Sequence, residues 1–135
     1  MDKEAAKKLI STENSRFYIY HLCKPDGPVF YVGKGQGNRV FQHENEAEGD
    51  GRSYKLNIIR KIRQMGSEID YRIEAFFESE DECLSREVED IARIGRHDLG
   101  TGPLANLTDG GEGTSGLSEE TRQRIDRNLH SSDAP

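Results

Sequence analysis

The chain has no tryptophan, and only two cysteines, two methionines and four prolines among its 135 residues. Cys23 and Cys83 are too few and too isolated for a disulfide framework, so both read as small buried apolar residues. No apolar run approaches the roughly 18–20 residues of a spanning helix, which excludes a membrane as partner. The opening Met-Asp-Lys-Glu-Ala-Ala-Lys-Lys carries no apolar signal region, so the expected location is intracellular: cytoplasmic, or the nucleoid if bacterial. His21, Cys23, His43, Cys83, His97 and His130 lack the spacing of a structural zinc site. No Ser-His-Asp or Cys-His triad is spelled locally, and no segment repeats. His97 and His130 are expected on the surface.

What remains is a very polar chain. Hydrophobic and charged residues each make up 33%, which suits one small α/β domain with a modest core. The net charge of −6 argues weakly against a polyanionic partner, but its placement is uneven. Residues 1–43 sum to +3 and residues 51–73 to +4, whereas residues 44–50 carry −4 and residues 74–90 carry −7. Two basic stretches could therefore meet phosphates while the acidic ones face away.

Hydropathy and turn signals divide the chain further. Residues 2–13 read as a short, polar helix. Arg16–Leu22 is rich in aromatic and β-branched residues and reads as a strand. Lys24-Pro-Asp-Gly-Pro28 turns the chain, and Val29–Val32 returns as the second strand of a hairpin. Gly33, Gly35 and Gly37 then lead into loop, and Asn38 caps a helix running to about Ala47. Ser53 starts the next helix, with Leu56, Ile59, Ile62 and Met65 on one face and Gly66 at its end. Ile69, Tyr71, Ile73, Ala75 and Phe77 alternate as a half-buried strand. Ser79 and Glu82 form a capping box for a helix with Leu84, Val88, Ile91 and Ile94, which Gly95 stops. The glycine-rich Leu104–Gly113 follows, and a last polar helix spans Ser118 to about Leu129. The predicted fold is α/β: a small antiparallel three-stranded sheet flanked by helices, in the order ββααβα. Residues 1–15 form an extension, residues 16–113 the domain and residues 114–135 a helical tail.

Aromatics on paired strands are ordinarily packing residues. Here they sit within a longer pattern: Tyr18-Ile19-Tyr20, then Phe30-Tyr31-Val32-Gly33-Lys34-Gly35, then Arg39 and His43 at helical i, i+4 spacing. Together with a glutamate helix and Asn106, this resembles the GIY-YIG nucleases. Most similar is the branch found as the nuclease module of ankyrin-and-LEM-domain proteins, although this sequence has neither ankyrin nor LEM segments. The resemblance covers roughly residues 17–113; Tyr18 stands where that family has its first glycine, and Val32 replaces an isoleucine. Gly33-Lys-Gly-Gln-Gly37 also invites comparison with a phosphate-cradling loop, but it lacks the spacing and the Ser or Thr of a P-loop.

The resemblance implies a metal-dependent DNA endonuclease with one divalent ion, Mg²⁺ or Mn²⁺. Its ligand would come from the last long helix. At roughly 100° per residue, Glu87 falls inside the apolar stripe between Ile91 and Ile94, Asp90 at the stripe's edge and Glu89 away from it. A carboxylate on the inward face needs a cation, and Glu87 is also the match to the family's glutamate. Tyr31 is the candidate general base, with Tyr20 across the hairpin. Lys34 and Arg39 are expected to favour its phenolate, Arg39 to stabilise transition-state charge, and His43 to relay or accept the proton. Asn106 would tie its loop to the site by side-chain hydrogen bonds. Phosphate contacts are expected from Lys34, Arg39, Lys55, Arg60, Lys61 and Arg63, and from Arg122 and Arg124 in the tail. The partner is DNA, met by a monomer or by a dimer assembled on it. The alternatives are a catalytically silent DNA-binding module that keeps the fold, and a small interaction domain.

Overall fold

A strand whose residues are all buried must be a central one, and Phe17–Cys23 (β1) is buried at every position. In the computed structural model, which describes residues 1–111, β1 lies between Val29–Gly35 (β2) and Asp70–Phe77 (β3), with both pairings antiparallel. The expected tail helix, with Arg122, Arg124 and His130, lies outside the described residues. The architecture is the expected α/β one. Among the described residues, four α-helices accompany the sheet: α1 (Lys3–Thr12), α2 (Gln42–Ala47), α3 (Tyr54–Gln64) and α4 (Glu80–Ile94).

The strand period of two sorts β1 into two cores. Tyr18, Tyr20 and Leu22 join Ala6 of α1, Ala47 of α2 and Leu56, Ile59 and Ile62 of α3 in the main core. Phe17 and Ile19 pack with Cys83 of α4, and Val32 packs with Ile91 and Leu104. The sheet is thus sandwiched between α1–α3 and α4. The extension is no mere appendage, because Ala6 is fully buried and Ile10 packs against the main core. Both cysteines are buried and unpaired, as expected.

Capping follows the sequence signals at two helices. Ser53 accepts from the Leu56 N–H at 3.1 Å, and Ser79 from that of Glu82 at 3.4 Å. Gly95 ends α4 at φ 96°, and a side chain there would strike the backbone of residues 101–102.

Four details depart from the pattern read along the chain. Asn38 makes no side-chain cap; residues 39–41 form a 3-10 turn before α2 begins. Met65 leaves the apolar face of α3 for the C-cap position, where it is 63% exposed. β2 does not give way to loop at Gly33 but continues to Gly35. In β3 the alternation fails beyond Ile73, because β1 pairs Tyr20 with Ile73 and Ile19 with Ala75, leaving Glu74 bulged out. The inserted residue reverses parity, so Phe76 joins the main core and Phe77 the opposite one.

Candidate functional site

Gly33 and Gly35 have extended backbones, so conformational freedom does not explain them. They face Tyr20 and Tyr18 across the hairpin. A Cβ on Gly33 would sit 2.9 Å from Tyr20 Cε1, and one on Gly35 would sit 2.7 Å from the Tyr18 hydroxyl, with other ring atoms closer still. Each glycine is the gap through which a tyrosine ring crosses the strand. That argues against a phosphate-cradling role for Gly33 and Gly35, because both belong to a strand whose free space is filled by rings.

The crossings deliver two hydroxyls to different places. Tyr18 donates to the Gly37 carbonyl at 2.6 Å, and burial pushes its phenol up to about 12. Tyr20 reaches 2.6 Å from His43 Nε2. Burial raises the Tyr20 phenol well above its ordinary value, and burial lowers the His43 imidazole to about 3, with Lys55 and Arg39 adding repulsion. Both groups are therefore neutral at physiological pH and share this one hydrogen bond, while His43 Nδ1 is buried without a partner among the described residues. The low imidazole value opposes the proton-accepting role expected of His43.

These side chains line a cleft of about 390 Å³ along the outer side of β2, between the α2–α3 layer and α4. All seven residues expected in the catalytic set contribute to it: Tyr20, Tyr31, Lys34, Arg39, His43, Glu87 and Asn106. Arg39 makes no ion pair among the described residues. Lys34 is paired with Glu80 at 3.3 Å and lies over the Phe17 ring. Asn106 accepts the Val32 N–H at 3.0 Å and donates to the Val32 carbonyl at 2.8 Å, so its amide closes the strand edge as a neighbouring strand would.

Tyr31 stacks obliquely on His43 with ring centroids 4.8 Å apart, and Lys55 Nζ stands 5.2 Å from its centroid. Burial, then Glu87 and Glu46, raise its phenol, and only Arg39 opposes them. The expectation that Lys34 and Arg39 would leave it acidic is thus overturned: the two carboxylates outweigh the guanidinium, and Lys34 is engaged by Glu80. Glu46 is the residue that sequence reasoning missed. It comes from the acidic run expected to face away, and it pairs with Lys55 at 3.4 Å inside the cleft.

On α4, Glu87 is half-buried and its Oε1 accepts the Gly111 N–H at 3.0 Å. The deeply buried carboxylate is instead Asp90, 3% exposed. Its partner is His21 at 2.9 Å, with Arg86 at 2.9 Å and Arg93 at 3.4 Å on its own helix. These bonds hold the Asp90 carboxyl below the usual carboxylate range despite burial. Among the described residues no three His, Cys, Asp or Glu side chains converge on a metal position. With Glu46 held by Lys55, Glu87 is the carboxylate at this polar cleft that would suit a magnesium-like ion keeping most of its waters, and the set does not fit zinc.

Of the basic residues expected to meet phosphate, Lys34, Arg39 and Lys55 line the cleft, and Arg60, Lys61 and Arg63 do not. Arg60 binds the carbonyls of Ala47, Gly49 and Gly51, closing the end of α2. Arg63 pairs with Glu44, which also takes the Tyr71 hydroxyl. Lys61 borders a separate groove with Ile58 and Met65. Among the described residues no helix is long and apolar enough to cross a membrane. No family model matches this sequence, and no curated protein or solved structure matches it either.

Proposed function

We propose that the cleft is the active site of a metal-dependent DNA endonuclease of the GIY-YIG type. One observation carries the reading: residues from two strands, a 3-10 turn, two helices and a distant loop, each singled out by its motif position, line the same cleft. No helical or strand period requires Tyr20, Glu87 and Asn106 to meet.

Phosphodiester hydrolysis needs a deprotonated water, charge stabilisation and a fixed phosphate. Glu87 would hold the divalent ion, which supplies charge neutralisation at a phosphate oxygen. Arg39, unpaired among the described residues, presents a guanidinium fork suited to phosphate oxygens. Tyr20 commits its hydroxyl to His43, which leaves Tyr31 as the residue that, once ionised to its phenolate, would take a proton from water. Burial and two carboxylates oppose its ionisation. A cation at Glu87 would cancel one of these, coupling the base to the ion. Lys55 stands beside Tyr31 and would meet a flanking phosphate once Glu46 yields it. Asn106 fixes the β2 edge on which Tyr31 stands.

The test uses supercoiled plasmid. Purified chain with Mg²⁺ or Mn²⁺ should nick or linearise it, and EDTA should stop the reaction. Glu87→Ala and Arg39→Ala should each remove most activity while leaving the circular dichroism spectrum intact. Cleavage by both variants at the parental rate would refute the assignment.

A further inference from the structure

Beside the cleft lies a pair of rings that the proposed reaction does not use. Tyr54, in the first turn of α3, stacks on His97, with centroids 4.0 Å apart and planes 17° from parallel. Tyr54 is 40% exposed and His97 is also exposed. Neither ring has another aromatic or cationic contact among the described residues. Two further apolar side chains, Leu99 and Leu107, are 59% and 68% exposed in the same part of the fold. Tyr54 directly precedes the cleft residue Lys55, and Arg96 ties the His97 turn to the Leu107 carbonyl and to Asp109. Asn106 and Thr108, either side of Leu107, line the cleft. The rings therefore stand on segments joined directly to residues of the cleft's lining, Lys55 on one side and Asn106 and Thr108 on the other.

An exposed stacked pair presents an outer π-face, and the natural third member of such a stack is another flat ring. Within a paired duplex both faces of every base are covered by its neighbours. A protein ring can reach only a base that is unpaired or terminal. Lys55, and Arg52 just ahead of α3, add positive charge for the backbone leading to that base.

We propose that Tyr54 and His97 form a stacking subsite for an unpaired DNA base adjoining the phosphate in the cleft, so that the preferred substrate has a single-stranded nucleotide there. The inference rests on the nuclease reading for the identity of the polymer.

The test compares duplexes that differ at one unpaired nucleotide beside a strand junction: 2-aminopurine, adenine, or an abasic sugar. Binding is read by anisotropy with full-length Glu87→Gln protein, and stacking by quenching of 2-aminopurine. The base-containing DNA should bind about tenfold more tightly than the abasic DNA, in the range of base–aromatic stacking, and the fluorescence should fall. Tyr54→Ala and His97→Ala should abolish that ratio and the quenching, and Tyr54→Trp should retain both. Equal affinity for base and abasic DNA, or an undiminished ratio in Tyr54→Ala, overturns the subsite. Plasmid cleavage is measured in parallel with the parental chain. Cleavage without base preference overturns the subsite alone. Base preference without cleavage upholds the subsite and removes the nuclease reading, and absence of any binding overturns both.

Discussion

Gly33→Ala tests the packing on which the whole site is built. The new methyl would sit 2.9 Å from Tyr20 Cε1, and closer to Cζ and the hydroxyl, where carbon contacts normally lie at about 3.5–4.0 Å. Ring or strand must shift by about 1 Å, yet the ring is pinned at its far end by the 2.6 Å bond to His43. Overpacking of this kind costs about 1–3 kcal/mol. Losing the buried hydrogen bond adds about 1 kcal/mol. Reduced freedom of the unfolded chain returns about 0.4–1 kcal/mol. The net expectation is a loss of about 2–3 kcal/mol, a large part of a small domain's roughly 5–15 kcal/mol. Urea titration followed by circular dichroism measures it, with unchanged m-values showing that the unfolded state is the same. The decisive comparison repeats the substitution in Tyr20→Ala, where the ring is gone and the methyl should be neutral or mildly stabilising. The reasoning fails if Gly33→Ala loses less than about 0.5 kcal/mol, the size of an ordinary surface change, or loses as much without Tyr20 as with it.

Other consequences are open to direct measurement. The folded His43 imidazole titrates near 3, below its unfolded value of 6.5, so between these limits the unfolded chain binds the extra proton. Stability is therefore full above 6.5 and falls with pH; the chain should be about 2 kcal/mol less stable at pH 5 than at pH 7, and His43→Gln should flatten that slope in urea titrations. Asn106→Ala strips both backbone groups of Val32 of their partner and should cost about 2 kcal/mol; amide exchange at Val32 should accelerate more than at its neighbours. Asp90→Ala removes the buried carboxylate shared by His21, Arg86 and Arg93 and leaves His21 only the more distant Glu74 at 3.8 Å, with an expected loss of about 3 kcal/mol by thermal or chemical unfolding. If Tyr31 is the base, cleavage should rise with pH through the alkaline range, and Glu46→Gln should move that rise to lower pH because one of the groups raising the phenol is gone. An unmoved profile in Glu46→Gln would exclude Tyr31.

Local chemistry carried much of this fold. The hairpin, the caps at Ser53 and Ser79 and the apolar stripe of α4 each arise from residues a few positions apart. Membership of the cleft was legible only through the family resemblance, since local chemistry alone reads the hairpin tyrosines as packing and Asn106 as a loop residue. What could not be read was set by distance. Asp90 lies at the edge of the helical stripe and looks solvent-facing until His21, 69 residues earlier, is placed against it. The bulge at Glu74 is one extra residue with no distinguishing composition, yet it exchanges the faces of Phe76 and Phe77. Burial was the other hidden quantity: basic neighbours promised an acidic Tyr31, but desolvation and Glu46 reverse the sign. Charge runs misled in the same way, because Arg60 and Arg63 serve carbonyls and carboxylates of their own chain.

A three-stranded sheet has two outer strands, and each is a potential template for another molecule. Here the chain itself bonds to both, along β2 and at one residue of β3. Ala105 and Asn106 bond to Phe30 and Val32 on β2, and the Met1 carbonyl accepts the Tyr71 N–H on β3. The segment that shields β2 from self-association is also the segment that walls the cleft. Changes chosen there to reshape the cleft will therefore alter aggregation propensity as well, and solubility becomes a second readout of how residues 104–106 are seated.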